Sequence, residues 1–102
     1  MSFQVSTSLD VDVLSVRLVG EMDSHTCGSA PEALAAALLE ASPRLVVMDL
    51  AQLDFVDSSG LSALLRCHRM TEEHSSGFRL ESPTPLVRRL LEITGLDEIL
   101  EL

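Results

Sequence analysis

The chain has no lysine among its 102 residues, no apolar run long enough to cross a bilayer, and no cluster of metal-ligating side chains. Each absence removes a class of function. Without lysine there is no Gly-x-x-x-x-Gly-Lys phosphate loop, so self-contained phosphoryl transfer is poorly supported and any phosphate is expected to come from another protein. No segment approaches the roughly 18 to 20 apolar residues of a membrane span. The N-terminus also lacks a basic segment followed by an apolar stretch. A soluble, cytoplasmic protein without membrane insertion is expected.

Cys27 and Cys67 are the only cysteines and form no Cys-x-x-Cys pair, while His25, His68 and His74 are scattered. No metal or other cofactor is expected, and the thiols read as free in a reducing compartment. Ser58 or Ser59, His25 and Asp57 are nominally the residue types of a nucleophile, base and orienter. The Gly-x-Ser-x-Gly elbow that would expose such a serine is missing, so the protein reads as a non-enzyme. The seven basic residues are all arginines, set against 16 acids for a net charge of −9. Direct nucleic-acid binding, which rests on neutralising phosphates, is therefore not expected, and an acidic surface suits a basic or mixed protein partner.

What is present reads as one domain, residues 1–102, of the α/β class: a small mixed sheet of about four strands with helices packed on it. Phe3 to Leu9 and Val11 to Val19 alternate, which predicts a hairpin joined at Asp10 with Leu14, Val16 and Leu18 facing the helices. Gly20 to Asp23 then turns the chain. Ser29 and Glu32 have capping-box spacing and Pro31 suits a first turn, so a helix starts at Ser29, with Ala30, Leu34, Leu38 and Ala41 inward. Leu45–Leu50 is almost wholly apolar and bounded by Pro43, as a central strand buried on both faces would be. After a loop, Leu61, Leu64, Leu65 and His68 lie on one face of a helix. Thr71 to Gly77 reads as a polar connection, Phe78–Glu81 as a short edge strand, and Leu96–Leu102 as a packed tail. Between them, Thr84 caps a helix with Pro85 in its first turn, Leu86, Leu90 and Ile93 inward and flanked by Val87 and Leu91, and Gly95 at its end.

The stretch Asp57-Ser58-Ser59-Gly60 opens the second helix. A Ser or Asp there ordinarily caps the helix. An exposed hydroxyl at the same place is also where added phosphate meets unpaired N–H groups and the positive end of the helix dipole. Leu53-Asp54-Phe55-Val56-Asp57-Ser58-Ser59-Gly60-Leu61 resembles the phosphorylation loop of anti-sigma factor antagonists of the STAS domain family. Gly20-Glu21-Met22-Asp23 and Pro85 through Leu96 agree in order and spacing.

The resemblance implies a module that binds an anti-sigma factor serine kinase when unphosphorylated and so releases a sigma factor. It implies that phosphorylation on Ser58 ends that binding and that a serine phosphatase restores it. Ser58 is the matching phosphoacceptor, with Ser59 competing. Glu21, Asp23, Asp57, Ser58, Ser59 and Gly60 are the implied partner-binding residues, although Glu21 and Asp23 by themselves read as a solvated turn. The alternative is a STAS-type docking subunit of another assembly, such as a membrane-lipid transport complex or a signalling scaffold.

Overall fold

Alternating side chains along the first twenty residues build an antiparallel hairpin. In the computed structural model, which describes residues 3–100, β1 (Phe3–Asp10) and β2 (Val13–Met22) pair from Phe3↔Gly20 to Asp10↔Val13 without a break. Leu14, Val16 and Leu18 are buried on one face of β2, as a period of two requires. The turn consists of Val11 and Asp12 rather than Asp10, with Val11 at φ 58°. Arg44 fixes it, donating its N–H to the Asp12 carbonyl at 2.7 Å and its Nε to Asp12 Oδ2 at 3.2 Å.

The helix α1 (Ser29–Glu40) begins where expected, but not by the expected means. Gly28 occupies the N-cap position and no side chain caps it, so the Ser29–Glu32 capping box is not formed. Pro31 sits in the first turn, where its missing N–H is harmless. Ala30, Pro31, Leu34 and Leu38 are buried, whereas Ala41 falls just past the helix end.

The sheet runs β1-β2-β3-β4, with the central strand β3 (Leu45–Val56) parallel to both β2 and the edge strand β4 (Gly77–Glu81). This is the mixed four-stranded α/β sheet read from the sequence. However, β3 continues through the residues expected to form a loop, and β2 continues through Gly20–Met22, expected to turn. Two irregularities hid this. Between Arg17↔Asp49 and Val19↔Gln52, β3 advances three residues to β2's two, and between Gly20↔Leu53 and Glu21↔Phe55 it advances two to one. Each extra residue flips the inward face. Leu50, Leu53 and Val56 are therefore all buried at a spacing of three, which no regular strand would show. At the first bulge Asp49 Oδ1 accepts the N–H of Ala51 at 2.9 Å.

The helix α2 (Ser58–Glu73) extends into the expected polar connection. Thr71 is buried there, its hydroxyl donating to the His68 carbonyl at 2.6 Å. The next helix, α3 (Pro85–Thr94), has the Thr84 cap and the left-handed Gly95 stop that its sequence indicates. Its inward face is centred on the residues expected to flank it: Val87 and Leu91 are buried, Leu90 is half-buried, and Leu86 and Ile93 are 50% and 69% exposed. The apolar residues cover more of α3 than the sheet can bury. The Thr84 hydroxyl, 3.4 Å from the Leu53 carbonyl, ties the start of the helix to β3 and helps set which part turns inward. A short α4 (Leu96–Ile99) leads to the buried Leu100; Glu101 and Leu102 of the expected tail lie outside the described residues.

Candidate functional site

Because β2 and β3 are parallel, their C-terminal ends meet at one edge of the sheet, where Met22 lies opposite Val56. A single residue, Asp57, connects β3 to α2. Its extended backbone (φ −95°, ψ −172°) suits an N-cap, and its Oδ1 accepts the N–H of Gly60 at 3.0 Å. Its own N–H donates to the Met22 carbonyl at 3.1 Å and its carbonyl accepts the N–H of Leu61 at 2.9 Å. Asp57 is thus the cap, and the hydroxyls of Ser58 and Ser59 are not required for that role. Ser58 is exposed and Ser59 half-buried.

Gly60 is buried, and a Cβ there would come within 2.4 Å of Val56 Cγ2 and 2.6 Å of the Met22 carbonyl oxygen. Only hydrogen fits at this contact. Gly60 lets α2 approach the ends of both strands, and so sets where the serines stand.

Glu21 lies within β2 opposite Phe55 and is half-buried, so it is not part of a solvated turn. Asp23 anchors the following loop. Its Oδ1 accepts the N–H groups of His25 at 2.9 Å and Thr26 at 3.1 Å, and its backbone carbonyl accepts Cys27 N–H at 2.8 Å. The hydrogen bonds to its carboxyl, that from the His25 N–H foremost and those from Thr26 after it, hold it below its ordinary range against the opposing effect of desolvation. Thr26 Oγ1 accepts the Asp23 N–H at 2.9 Å and lies 3.0 Å from the Glu21 carbonyl and 3.1 Å from Asp23 Oδ1. Thr26 was missed in the sequence, although the Asp23-x-x-Thr26 spacing is one at which Asx and Thr turns close.

Phe55, beside Glu21 and three residues before Ser58, was also passed over. It is 40% exposed, which gives the edge an aromatic surface next to its acids. Arg66 and Arg69 are exposed on α2, and the basic side chain nearest Glu72 is that of His68, its Nδ1 3.8 Å from Glu72 Oε1. Among the described residues no group of His, Cys, Asp and Glu is arranged to hold a metal, and no helix is long and apolar enough to cross a membrane.

An exposed serine beyond an aspartate cap, an anchored acidic loop and an exposed phenylalanine therefore share one edge. The STAS domain family model matches residues 4–102. The chain belongs to the STAS domain family. An anti-sigma F factor antagonist from Paenibacillus polymyxa is 31% identical over 100 residues, covering 98% of this STAS chain and 86% of the relative. The crystal structure of an anti-sigma factor antagonist from Mycobacterium paratuberculosis superposes with a TM-score of 0.83 at 28% identity, covering 96% of this chain and 82% of that one. The anti-sigma factor antagonist SpoIIAA in its unphosphorylated form gives 0.78 at 26% identity, over 95% and 84% of the two chains. The Bacillus SpoIIAA in its phosphorylated form gives 0.70 at 25%, over 95% and 86%.

Proposed function

We propose that this STAS domain is a cytoplasmic anti-sigma factor antagonist that works by partner switching, as a binding protein and not an enzyme. Unphosphorylated, it binds an anti-sigma factor that is also a serine kinase, and a sigma factor is released. Phosphorylation of Ser58 ends the binding, and a serine phosphatase restores it. The observation that carries this reading is the division of labour at the start of α2: Asp57 supplies the cap, so the exposed Ser58 hydroxyl is free to be modified. Ser59, half-buried, is the poorer acceptor. The names of the relatives support the same reading, and SpoIIAA occurs in phosphorylated and unphosphorylated forms.

The partner surface comprises Glu21, the loop held by Asp23, Asp57, Ser58 and Ser59, with Phe55 contributing apolar area. With a net charge of −9, association should be fast and weakened by salt when the partner's facing surface is basic.

The test is incubation of the protein with candidate anti-sigma factor kinases and ATP, followed by mass spectrometry and binding measurements. One phosphate on the Ser58 peptide, with loss of kinase binding, is expected. Stoichiometric phosphorylation of Ser58→Ala together with none of Ser59→Ala would move the acceptor to Ser59. Recovery of a transporter or scaffold subunit, with no kinase, would replace this function by constitutive docking.

A further inference from the structure

The two edges of the sheet are guarded very differently. β4 is only five residues long and carries Arg79 and Glu81, paired at 3.0 Å through Arg79 Nη2. β1 is eight residues long, pairs with β2 in an unbroken register, and has no charged side chain from Phe3 to Leu9. It also has no proline there and no bulge against β2. Among the described residues no strand pairs with its other side. Short length, charge, proline and bulges are the usual protections of an exposed strand edge; β1 has only one of them, the single charge of Asp10 at its turn end. Against the helix-facing side of β1 lies a groove of about 410 Å³, lined by Thr7, Leu9 and Leu14, by alanines of α1 including Ala33, Ala36 and Ala37, and at its end by the charged Glu40. Leu9 is 50% exposed at its mouth.

We infer that the free edge of β1 is a homodimer interface at which the β1 strands of two copies pair antiparallel across a twofold axis, making one eight-stranded sheet. An extended backbone is the occupant that satisfies a row of unpaired strand N–H and C=O groups. A second copy of this chain fits for two reasons. Each copy carries −9, so self-association must occur where neither copy presents charge, and Phe3–Leu9 is such a stretch. The sequence of β1 is also self-complementary about Ser6. With Ser6 opposite Ser6, Phe3 meets Leu9 and Val5 meets Thr7 on the helix-facing side, while Gln4 meets Ser8 on the other. The apolar Phe3–Leu9 pair and the β-branched Val5–Thr7 pair thereby fall beside the groove, and hydroxyl and amide pairs fall on the open face. Small alanines on α1 leave room for the partner's side chains. Ser58 follows β3, two strands away, so pairing leaves it accessible.

Sedimentation of the full chain over a range of concentrations should show a monomer–dimer equilibrium. Ser6→Lys places two like charges directly opposite each other and should raise the dimer dissociation constant by about tenfold. Simple charge repulsion predicts the reverse, because the substitution lowers the net negative charge; a tighter Ser6→Lys dimer would overturn the proposal. Circular dichroism of the variant monitors its fold. A second reading avoids the need for disruption: Ser6→Cys should cross-link to a dimer under mild oxidant, since directly opposed strand residues lie about 4.5 to 5.5 Å apart at Cα. Glu81→Cys, on the other edge, should not. A protein that stays monomeric throughout, or a dimer that cross-links through Glu81→Cys and not Ser6→Cys, sinks the inference. So does a dimer lost on Ile93→Lys, at the exposed face of α3, but kept in Ser6→Lys.

Discussion

The carboxylate of Asp57 and the amide of Gly60 close the first turn of α2 at 3.0 Å, while the absent side chain of Gly60 lets that turn rest on Met22 and Val56. Capping and close approach are thus separate requirements met three residues apart. Gly60→Ala should be destabilising, because one of the obstructing atoms is a backbone carbonyl that cannot rotate away. Overpacking of this kind costs about 1 to 3 kcal/mol. For a chain of this size a thermal melt should fall by roughly 4 to 8 °C for each kcal/mol. A melt unchanged or raised, as Gly→Ala in an uncrowded helix would give, would show that α2 does not sit this close to the strand ends.

The hairpin turn stores strain that can be released. Val11 holds φ 58° and is almost fully exposed, a conformation that a β-branched residue adopts only at a cost. Val11→Gly removes that penalty without touching the core, and the gain should exceed the extra flexibility glycine brings to the unfolded chain. Stabilisation of about 0.5 to 1 kcal/mol is expected in urea unfolding, with an unchanged slope. Destabilisation would mean that the turn is held in another conformation.

The two thiols differ in environment. Burial pushes Cys67 up to about 12, so at neutral pH it carries almost no thiolate, the reactive form. Cys27 is half-buried and unbridged. A thiol reagent at neutral pH should therefore modify Cys27 in the folded protein and Cys67 only after denaturation. Equal rates for both in the native state would contradict the buried position of Cys67.

Asp23 links the acidic loop to pH. Its folded carboxyl titrates below the ordinary value of 3.8, so the anchoring hydrogen bonds are intact above the unfolded value. They are lost as the pH falls through the lower folded value. Carboxyl resonances followed by NMR should place the Asp23 midpoint below 3.8, and Thr26→Val, which removes the hydroxyl contacts, should raise it. A midpoint at or above the ordinary value would mean that the loop is not anchored through this side chain.

Much of this fold was legible where one periodicity ran unbroken: the β1–β2 hairpin, the apolar start of β3, and the Thr84 and Gly95 signals that bound α3. Legibility failed where tertiary contacts overrode local pattern. Two inserted residues in β3 shift its inward face just after Leu50 and again at Asp54, and the alternation that identifies a strand disappears although the strand continues. On α3 the residues Leu86, Val87, Leu90, Leu91 and Ile93 could all have faced inward. At the site, the Asp57 cap and the neighbouring serines could be read directly. The closeness of the Asp23–Thr26 loop could not, since it depends on β2 and β3 ending side by side.

Phosphorylation of Ser58, if it is the switch, should act at the partner surface and leave the fold intact. A phosphoserine adds about −1.5 to −2 charges at neutral pH, and the first turn of α2 suits an anion through its dipole and its remaining N–H groups. Asp57 opposes this by placing a second negative charge alongside, but its oxygen is already bonded to Gly60, so the two effects offset each other in the free domain. The phosphorylated protein should therefore melt within roughly 4 °C of the unmodified one, equivalent to less than about 1 kcal/mol. Across an interface the balance is different, because the dianion must lose water and face groups that packed against a neutral hydroxyl. A penalty of about 3 to 4 kcal/mol weakens binding by a few hundredfold. Ser58→Asp should accordingly lose most binding to the kinase at an unchanged melting temperature, and Ser58→Ala should bind persistently. Calorimetry and melting of the two variants and the phosphoprotein separate the possibilities: a large fall in melting temperature on phosphorylation would make the switch an unfolding event, and an unchanged affinity would remove it altogether.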